Sequence, residues 1–216
     1  MHWKFGAVAA LASILLTGCV SNPPSQPQSP NGDGFRVLSI GDKTENANDR
    51  DVIVYFFYSC PYCYDFHTNQ LKTWIASRPN ANIVQIPVTW NESLGVMARA
   101  YYAGEVANIN PSFHEAVYSS LHQNPTQDQS ESFFAVLAES CCNISRTRFV
   151  EVFRSSEVER RWAASDANWK MFNVSAVPEV IVSGRYLVDP NTAGSSENMI
   201  PVIEKLLENQ RSRPVD

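Results

Sequence analysis

The feature that most constrains the fold is a cysteine pair at the junction between a strand-like run and a helix-like run. Residues 51–58, DVIVYFFY, are almost all β-branched or aromatic, which is typical of a strand buried on both faces. From Pro61 to about Arg78 the apolar residues recur at helical spacing. The motif Cys60-Pro61-Tyr62-Cys63 stands between the two runs. The pattern therefore predicts that the cysteines lie where a central strand passes into a helix.

Two cysteines at such a junction have a specific chemistry. The helix dipole and the free N–H groups of the first turn favour the thiolate form of Cys60. Pro61 suits the first helical position because its missing N–H has no partner there. Cys63 lies within one turn and is close enough to close a disulfide. We therefore predict that Cys60 is the attacking thiolate and Cys63 the resolving thiol.

Two other uses of the cysteine pair are possible from the sequence alone: half of a zinc site, or a purely structural disulfide. A zinc site would need further ligands, which could come from His67 together with Cys141, Cys142, His114 or His122. No second paired motif has ligand spacing, and the chain carries an export signal. We therefore expect redox chemistry at the pair and no metal.

The export signal is the N-terminal segment. The apolar run Phe5–Leu16 is shorter than the roughly 20 residues that a membrane-spanning helix needs, and it has the length of a signal-peptide core. The four residues Leu16-Thr17-Gly18-Cys19 resemble the lipobox of bacterial lipoproteins. The resemblance implies that residues 1–18 are removed and that Cys19 is the site of lipid attachment.

After Cys19 the chain is rich in Pro, Ser, Asn and Gln up to residue 34, which predicts a flexible tether over residues 19–34. We expect the folded part to stand in the bacterial periplasm, held to a membrane by the lipid. Val20 follows the cysteine where an aspartate would favour the inner membrane, so the lipoprotein resemblance implies the outer membrane. Export also places the remaining cysteines in an oxidising compartment, where disulfides persist.

The order of predicted elements defines the fold class. Strands over 35–40, 51–58 and 82–88 enclose the helix that begins at Pro61, and five helical segments follow over 92–172. An antiparallel pair, 180–183 and 186–188, precedes a terminal helix over 196–208. We predict an α/β chain, a thioredoxin fold with an inserted all-helical domain. The thioredoxin-like part is 35–90 and 156–209, the insertion is 91–155, and 210–216 is a flexible tail.

Composition limits the classes of function. The chain has 216 residues, of which 44% are hydrophobic, and a formal net charge of −5. The apolar fraction predicts a packed core and excludes a disordered chain. The acidic balance argues against a nucleic-acid partner, which would require a basic surface.

Two segments carry a resemblance to the DsbA family of periplasmic thiol–disulfide oxidoreductases: FFYSCPYCYDFH (56–67) and NVSAVPEVIVSGRYLVDP (173–190). The resemblance implies that Pro178 is a cis proline facing the cysteine pair, and that backbone groups of Val177 bind an extended substrate peptide. It also implies donation of the Cys60–Cys63 disulfide to reduced or unfolded exported proteins, without any other cofactor. A membrane oxidase of the DsbB type would reoxidise the pair.

The chain departs from the family pattern at two positions. The strongest oxidants of the family carry His where this chain has Tyr62, so we predict a weaker oxidant. Many relatives keep a buried carboxylate six residues before the first cysteine, where this chain has Val54. Glu179 is a conceivable substitute as proton acceptor, but we expect it to be a solvated surface acid.

Cys141 and Cys142 are adjacent near the end of a predicted helix, where helical geometry disfavours a bridge between them. The simplest interpretation is that one or both pack as small apolar residues. A vicinal disulfide and a regulatory or intermolecular thiol are the alternatives.

Three functions fit the motif. The leading one is an oxidase. A reductase or isomerase would use the same fold, but isomerases of this family usually carry an N-terminal dimerisation domain, and only the tether precedes the first strand here. We therefore expect a monomeric oxidase. The third function is a non-catalytic surface lipoprotein that uses the fold to hold partners.

Overall fold

The computed structural model describes residues 32–38 and 52–211. The strands are β1 (Arg36–Val37), β2 (Val52–Phe56), β3 (Ile83–Pro87), β4 (Glu179–Val182) and β5 (Tyr186–Val188). The helices are α1 (Pro61–Phe66), α2 (Lys72–Ala76), α3 (Glu92–Val106), α4 (Ser112–Gln123), α5 (Glu131–Cys142), α6 (Arg146–Phe153), α7 (Ser156–Met171), α8 (Pro190–Ala193) and α9 (Met199–Arg211). The predicted signal peptide, Cys19, most of the tether and the end of the tail lie outside the described residues.

The five strands form one mixed sheet in the order β1-β5-β4-β2-β3. β2 and β3 are parallel and joined through the first helical segment, whereas β2–β4, β4–β5 and β5–β1 are antiparallel. This topology confirms the predicted thioredoxin fold and the antiparallel pair near the C-terminus. It also places the end of β2 beside the beginning of β4, since those strands run in opposite directions.

Strand β2 is central because its side chains are buried on both faces of the sheet. Val52 and Val54 pack with Phe66, Leu71 and Trp74 of the first helical segment and with α9. Tyr55 lies on the other face, in a second apolar cluster built mainly by α3–α7. The continuous apolar run in the sequence therefore reflects two cores that β2 separates.

The helices between β3 and β4 follow the predicted pattern closely. Phe113, Val117, Phe134 and Phe149 come from three successive helices and are fully buried in the second cluster. That cluster also contains Phe172 and residues of the sheet, so the predicted insertion and the thioredoxin-like part share one core. The boundaries proposed at 90/91 and 155/156 remain predictions.

Three local features differ from the expected pattern. The first helical segment is interrupted by a π-helical stretch, His67–Leu71, between α1 and α2. The described part of the first strand is only two residues long. Gly34, predicted as the end of the tether, is buried against Val202 of α9.

Within the described ranges, no helix has both the length and the apolar character needed to cross a membrane.

Candidate active site

The cysteine pair lies where β2 passes into α1. Cys60 is the N-cap residue of α1 and has an extended backbone, and Pro61 occupies the first helical turn. The N–H of Cys60 donates to the carbonyl oxygen of Phe57 at 3.2 Å, which closes the turn after the strand. Both cysteines are buried, with 4% of Cys60 and 2% of Cys63 exposed. The sequence placed the pair correctly because its determinants are local.

The sulfur of Cys60 replaces the oxygen that usually caps a helix. It accepts a hydrogen bond from the backbone N–H of Cys63, with 3.3 Å between nitrogen and sulfur. The pKa of Cys60 falls to about 7, chiefly through the hydrogen bond from the Cys63 thiol and further through the N–H groups of Cys63 and Tyr62, although burial opposes the change. Cys60 is therefore substantially a thiolate at neutral pH.

Cys63 has the opposite electrostatic environment. Burial raises the pKa of its thiol well above the usual value, and the neighbouring Cys60 raises it further. The two sulfurs are unbonded, so the structure describes the dithiol form of the pair. One thiol is prepared to attack and the other is held protonated in the interior.

The loop before β4 faces the cysteine pair. The peptide bond between Val177 and Pro178 is cis, which confirms the prediction, and Pro178 is buried. The thiol of Cys60 lies 3.7 Å from the carbonyl oxygen of Val177, a residue 117 positions away in the chain. The structure thus brings together the two segments, 56–67 and 173–190, on which the sequence analysis relied.

The surface around the pair is partly aromatic. Tyr62 is 74% exposed, and Pro61 beside it is exposed as well. Phe57, Trp90 and Trp169 form a half-buried group, here called the aromatic patch, with ring centroids 6.0 Å apart for the first pair and 6.4 Å for the second. The other residues of the run, Tyr55, Phe56 and Tyr58, are buried in the core as predicted.

The prediction for Glu179 was wrong. The residue is only 3% exposed, and one of its carboxylate oxygens, Oε1, is buried without a hydrogen-bond partner. Burial, and then the negative charge of Asp189, raise the pKa of Glu179 to about 8, while Arg36 acts in the opposite direction. Glu179 pairs with Tyr55 across the sheet, so it faces away from Val54 and does not replace a carboxylate at that position.

A cluster of aromatic and histidine side chains lies between α1 and α4. His67 and His114 are 4% and 3% exposed, and their ring centroids are 4.8 Å apart. Tyr118 stacks on His67, and His122 stacks on Tyr64. From the sequence, these histidines were predicted only as possible zinc ligands. Among residues 32–38 and 52–211, no three His, Cys, Asp or Glu side chains are arranged to hold a metal ion.

Cys141 and Cys142 are joined to each other by a disulfide at the end of α5. Cys141 is exposed and Cys142 is half-buried against the core. The structure therefore shows the vicinal disulfide that was given as an alternative rather than free thiols, although Cys142 does pack against the core.

The hydrogen bond from the Cys63 thiol predicts how substitutions change Cys60. In a background with Cys141→Ser and Cys142→Ser, Cys63→Ala removes the donor, and we expect the pKa of Cys60 to rise from about 7 toward the ordinary value of a free thiol, about 8.5. Cys63→Ser is the matched control, since its hydroxyl still donates and the pKa should stay low. The rate of alkylation as a function of pH measures both. Equal midpoints for the two variants would show that the side-chain donor is unimportant.

The burial of Glu179 predicts a pH-dependent stability. Its pKa is raised to about 8 from an unfolded-state value near 4.5, so the folded protein retains a proton that the unfolded chain loses. The contribution of Glu179 to the free energy of unfolding is therefore complete below pH 4.5, and it is lost as the pH rises to about 8. We expect Glu179→Gln to be increasingly stabilising, relative to the parent protein, across that interval. Urea unfolding at several pH values measures the difference, and a constant difference would contradict the assignment.

Comparison with known proteins agrees with this geometry. The model of the family described as Thioredoxin matches residues 39–204. The chain is 22% identical to the thiol:disulfide interchange protein DsbA of Azotobacter vinelandii, over 96% of each chain. It is 24% identical to the protein of the same name from Pseudomonas syringae pv. tomato, over 75% of each chain.

Solved structures show the same fold. The crystal structure of Pseudomonas aeruginosa DsbA is similar with a TM-score of 0.74 and 20% identity, covering 84% of this chain and 94% of that one. The oxidoreductase DsbA from Xylella fastidiosa is similar with a TM-score of 0.74 and 24% identity, covering 83% and 96%. With its cysteine pair at the start of α1 and its family match over most of its length, this chain belongs to the thioredoxin family and has the fold of the DsbA proteins.

Proposed function

We propose that this chain is a thiol–disulfide oxidoreductase that introduces disulfide bonds into exported proteins through Cys60 and Cys63. The observation that carries the proposal is the contrast between the two sulfurs. Cys60 has a pKa of about 7 at the N-terminus of α1, whereas the pKa of the buried Cys63 is raised. A low thiol pKa makes Cys60 a good leaving group from a mixed disulfide, which favours transfer of the disulfide to the substrate.

The reaction consists of two exchanges. A substrate thiolate attacks the Sγ atom of Cys60 in the Cys60–Cys63 disulfide, and the electron pair of the broken S–S bond passes to Cys63. A second substrate thiolate then attacks the substrate sulfur that is bonded to Cys60, and Cys60 leaves as a thiolate. The substrate has lost two electrons and gained a disulfide, while the protein has become a dithiol. No further cofactor takes part in this scheme.

Substrate binding in this proposal uses the backbone of Val177. Its carbonyl oxygen lies 3.7 Å from the sulfur of Cys60, so an extended peptide bound to Val177 would place a cysteine beside that sulfur. The aromatic patch beside the pair gives an apolar contact surface suited to unfolded chains. Reduced or unfolded exported proteins are therefore the proposed substrates, and the dithiol would be returned to the disulfide by a membrane oxidase of the DsbB type.

The oxidising power depends on how well the protein stabilises the Cys60 thiolate. Tyr62 is exposed and is not among the groups whose side chains bond that sulfur. A histidine at this position would add a donor. Known proteins define the scale: about −120 mV for DsbA and about −200 to −230 mV for glutaredoxins. We expect this chain to lie between these two values.

The test combines a measurement of the redox potential of the Cys60–Cys63 couple with an assay of oxidase activity. Purified protein in which Cys141 and Cys142 are replaced by Ser is equilibrated in graded glutathione buffers, and the Cys60–Cys63 couple is measured by thiol alkylation. The same protein is then assayed for oxidation of a reduced, unfolded model protein. We expect a midpoint between the two anchors, a more oxidising value for Tyr62→His, and complete loss of turnover for Cys60→Ser.

Other outcomes would support other functions. A midpoint near the value of thioredoxin, about −270 mV, would indicate a reductase that needs an electron supply. The absence of a reversible couple, with partner binding unaffected by Cys60→Ser, would indicate a non-catalytic binding protein. Turnover that depends on isomerising wrong disulfides, together with a dimer in solution, would indicate an isomerase.

We also propose that the protein is a periplasm-facing lipoprotein anchored through Cys19, with residues 1–18 removed and the segment from Cys19 up to the buried Gly34 as its tether. The support is the sequence Leu16-Thr17-Gly18-Cys19 after a short apolar run. Several acyl chains would hold the protein firmly, at about 0.8 kcal/mol per buried methylene. Val20 after the cysteine favours the outer membrane. Anchoring would keep a monomeric oxidase close to newly exported chains.

Fractionation of a bacterial host tests the anchor. The parent protein should sediment with the membrane, in the denser outer-membrane fraction, and should incorporate labelled palmitate. Cys19→Ser should appear without label and without removal of the signal at that site. Unlabelled parent protein in the periplasmic extract would contradict the lipoprotein proposal without affecting the redox proposal.

A further inference from the structure

The buried thiol of Cys63 needs a proton acceptor before it can react. Cys63 is 2% exposed and its pKa is raised, so it is a thiol at neutral pH. It must lose its proton before it can attack a mixed disulfide on Cys60, since only the thiolate is nucleophilic. Val54 offers no carboxylate, and the charged groups that shift the pKa of the buried Glu179 are Asp189 and Arg36 rather than either cysteine. A proton acceptor elsewhere is required.

His67 lies one helical turn after Cys63. Its backbone N–H donates to the carbonyl oxygen of Cys63, and side chains four residues apart on a helix share a face, with about 5–6 Å between their Cβ atoms. The π-helical stretch of the segment begins at His67. Such stretches are frequently found at functional sites because the extra residue changes the direction of the side chains.

The hydrogen bond to Glu115 fixes the tautomer of His67. Nε2 of His67 lies 2.5 Å from Oε1 of Glu115, and Lys72 contacts the other carboxylate oxygen at 3.3 Å. Although partial burial opposes it, the bonds from His67 and Lys72 lower the pKa of Glu115, so its carboxylate is ionised at neutral pH. An ionised carboxylate only accepts hydrogen bonds. Nε2 of His67 therefore carries the hydrogen, and Nδ1 has a free lone pair.

That lone pair has no partner. Nδ1 of His67 is buried and makes no hydrogen bond, and the same is true of Nε2 of His114, whose ring is 4.8 Å away. A buried ring nitrogen without a partner has lost its contact with water and gained no hydrogen bond in return, so it calls for an explanation. Burial lowers the pKa of His67, which keeps the ring neutral and able to accept a proton.

Other titratable groups surround His67 from several elements. Glu115, His114 and Tyr118 on α4 contact its ring, Lys72 on α2 contacts Glu115, Tyr58 in the turn after β2 bonds His114, and the carbonyl oxygen of Cys63 on α1 accepts from its backbone N–H. His114 is bonded through Nδ1 to the hydroxyl of Tyr58 at 2.9 Å, and burial keeps its pKa well below the usual value. Of these groups, Glu115 is the one that is negatively charged at neutral pH, and its side chain is 40% exposed. It therefore stabilises an imidazolium at His67 and opens a path to solvent.

We propose that His67, oriented by Glu115, accepts the proton of Cys63 when the pair is reoxidised. This inference rests on the proposed function. The oxidant is a disulfide, and one of its sulfurs first becomes bonded to Cys60 in a mixed disulfide. The proton on the Sγ atom of Cys63 then passes to Nδ1 of His67. The Cys63 thiolate attacks Cys60, the bond between Cys60 and the oxidant breaks, and the oxidant sulfur leaves with the electron pair. The proton then passes to solvent, and in disulfide donation it returns to Cys63.

Oxidised glutathione is the probe that tests the proposal. The reduced protein, with Cys141 and Cys142 replaced by Ser, is mixed with it at pH 5.5–9.5, and samples quenched in acid are analysed by mass spectrometry. This separates attack by Cys60, which forms the mixed disulfide, from ring closure by Cys63. For His67→Gln we expect the first step to be unchanged and ring closure to be slowed about 10²-fold at pH 7, the usual contribution of a general base. The deficit should fade as the pH rises, because Cys63 then ionises unaided.

Two further variants separate this role from a structural one. Because the side chain of Glu115 is partly exposed, the Glu115→Gln variant should fold normally. It should slow ring closure several-fold, because it removes the charge that stabilises the imidazolium. His122→Gln is the matched control: Nε2 of His122 bonds the carbonyl oxygen of Tyr58 at 2.8 Å, and this histidine should not affect either step. The unfolding midpoints of the reduced proteins show whether each variant is folded.

The outcomes distinguish the two proposals. If the parent protein forms no Cys60–Cys63 disulfide, the proposed function fails. If the parent closes the ring, but His67→Gln and Glu115→Gln close it at the parent rate with the parent pH profile, the assignment of His67 is wrong and the proposed function stands. Equal slowing of both steps at every pH in the two variants would indicate a structural role, and would also overturn the assignment.

Discussion

The hydrogen bonds that converge on the sulfur of Cys60 are the interaction on which the chemistry depends. A helix begins with N–H groups that need acceptors, and here a cysteine side chain supplies one of them. The same bonds stabilise negative charge on the sulfur, so the cap of the helix and the reactive thiolate are one structural feature. Strand β2 makes this possible, because burial on both faces fixes the point at which the chain turns into α1.

The two thiols differ because they meet different parts of the same helix. Cys60 lies at the first N–H groups, whereas Cys63 lies one turn inside, against the apolar cluster that α3–α7 complete. The helices between β3 and β4 thus do more than cover the sheet. They supply Tyr118, His114 and Glu115, which contact His67, one helical turn after the inner thiol. A thioredoxin-like unit without these helices would leave Cys63 in a different environment.

Sequence reasoning succeeded where structure depends on neighbours in the chain. The positions of the helices, the strand before the cysteine pair and the antiparallel pair near the C-terminus all follow from periodicity and turn residues. It was wrong about Glu179 because a polar residue after a loop is usually solvated, and only its place in the folded sheet, paired with Tyr55, reveals its burial. Cys141 and Cys142 were misjudged because helical geometry by itself disfavours their bond.

By itself, the sequence predicted the chemistry of the pair and the residues that would carry it, and it determined which cysteine begins the helix and which proline-containing segment lies opposite. Only the tertiary structure decided how that chemistry is controlled. The approach of Val177 to Cys60 and the enclosure of His67 by α4 join residues 117 and 48 positions apart. Contacts over such separations depend on how elements pack rather than on local pattern. The burial that sets the pKa of Cys63 and Glu179 therefore exists only in the folded chain.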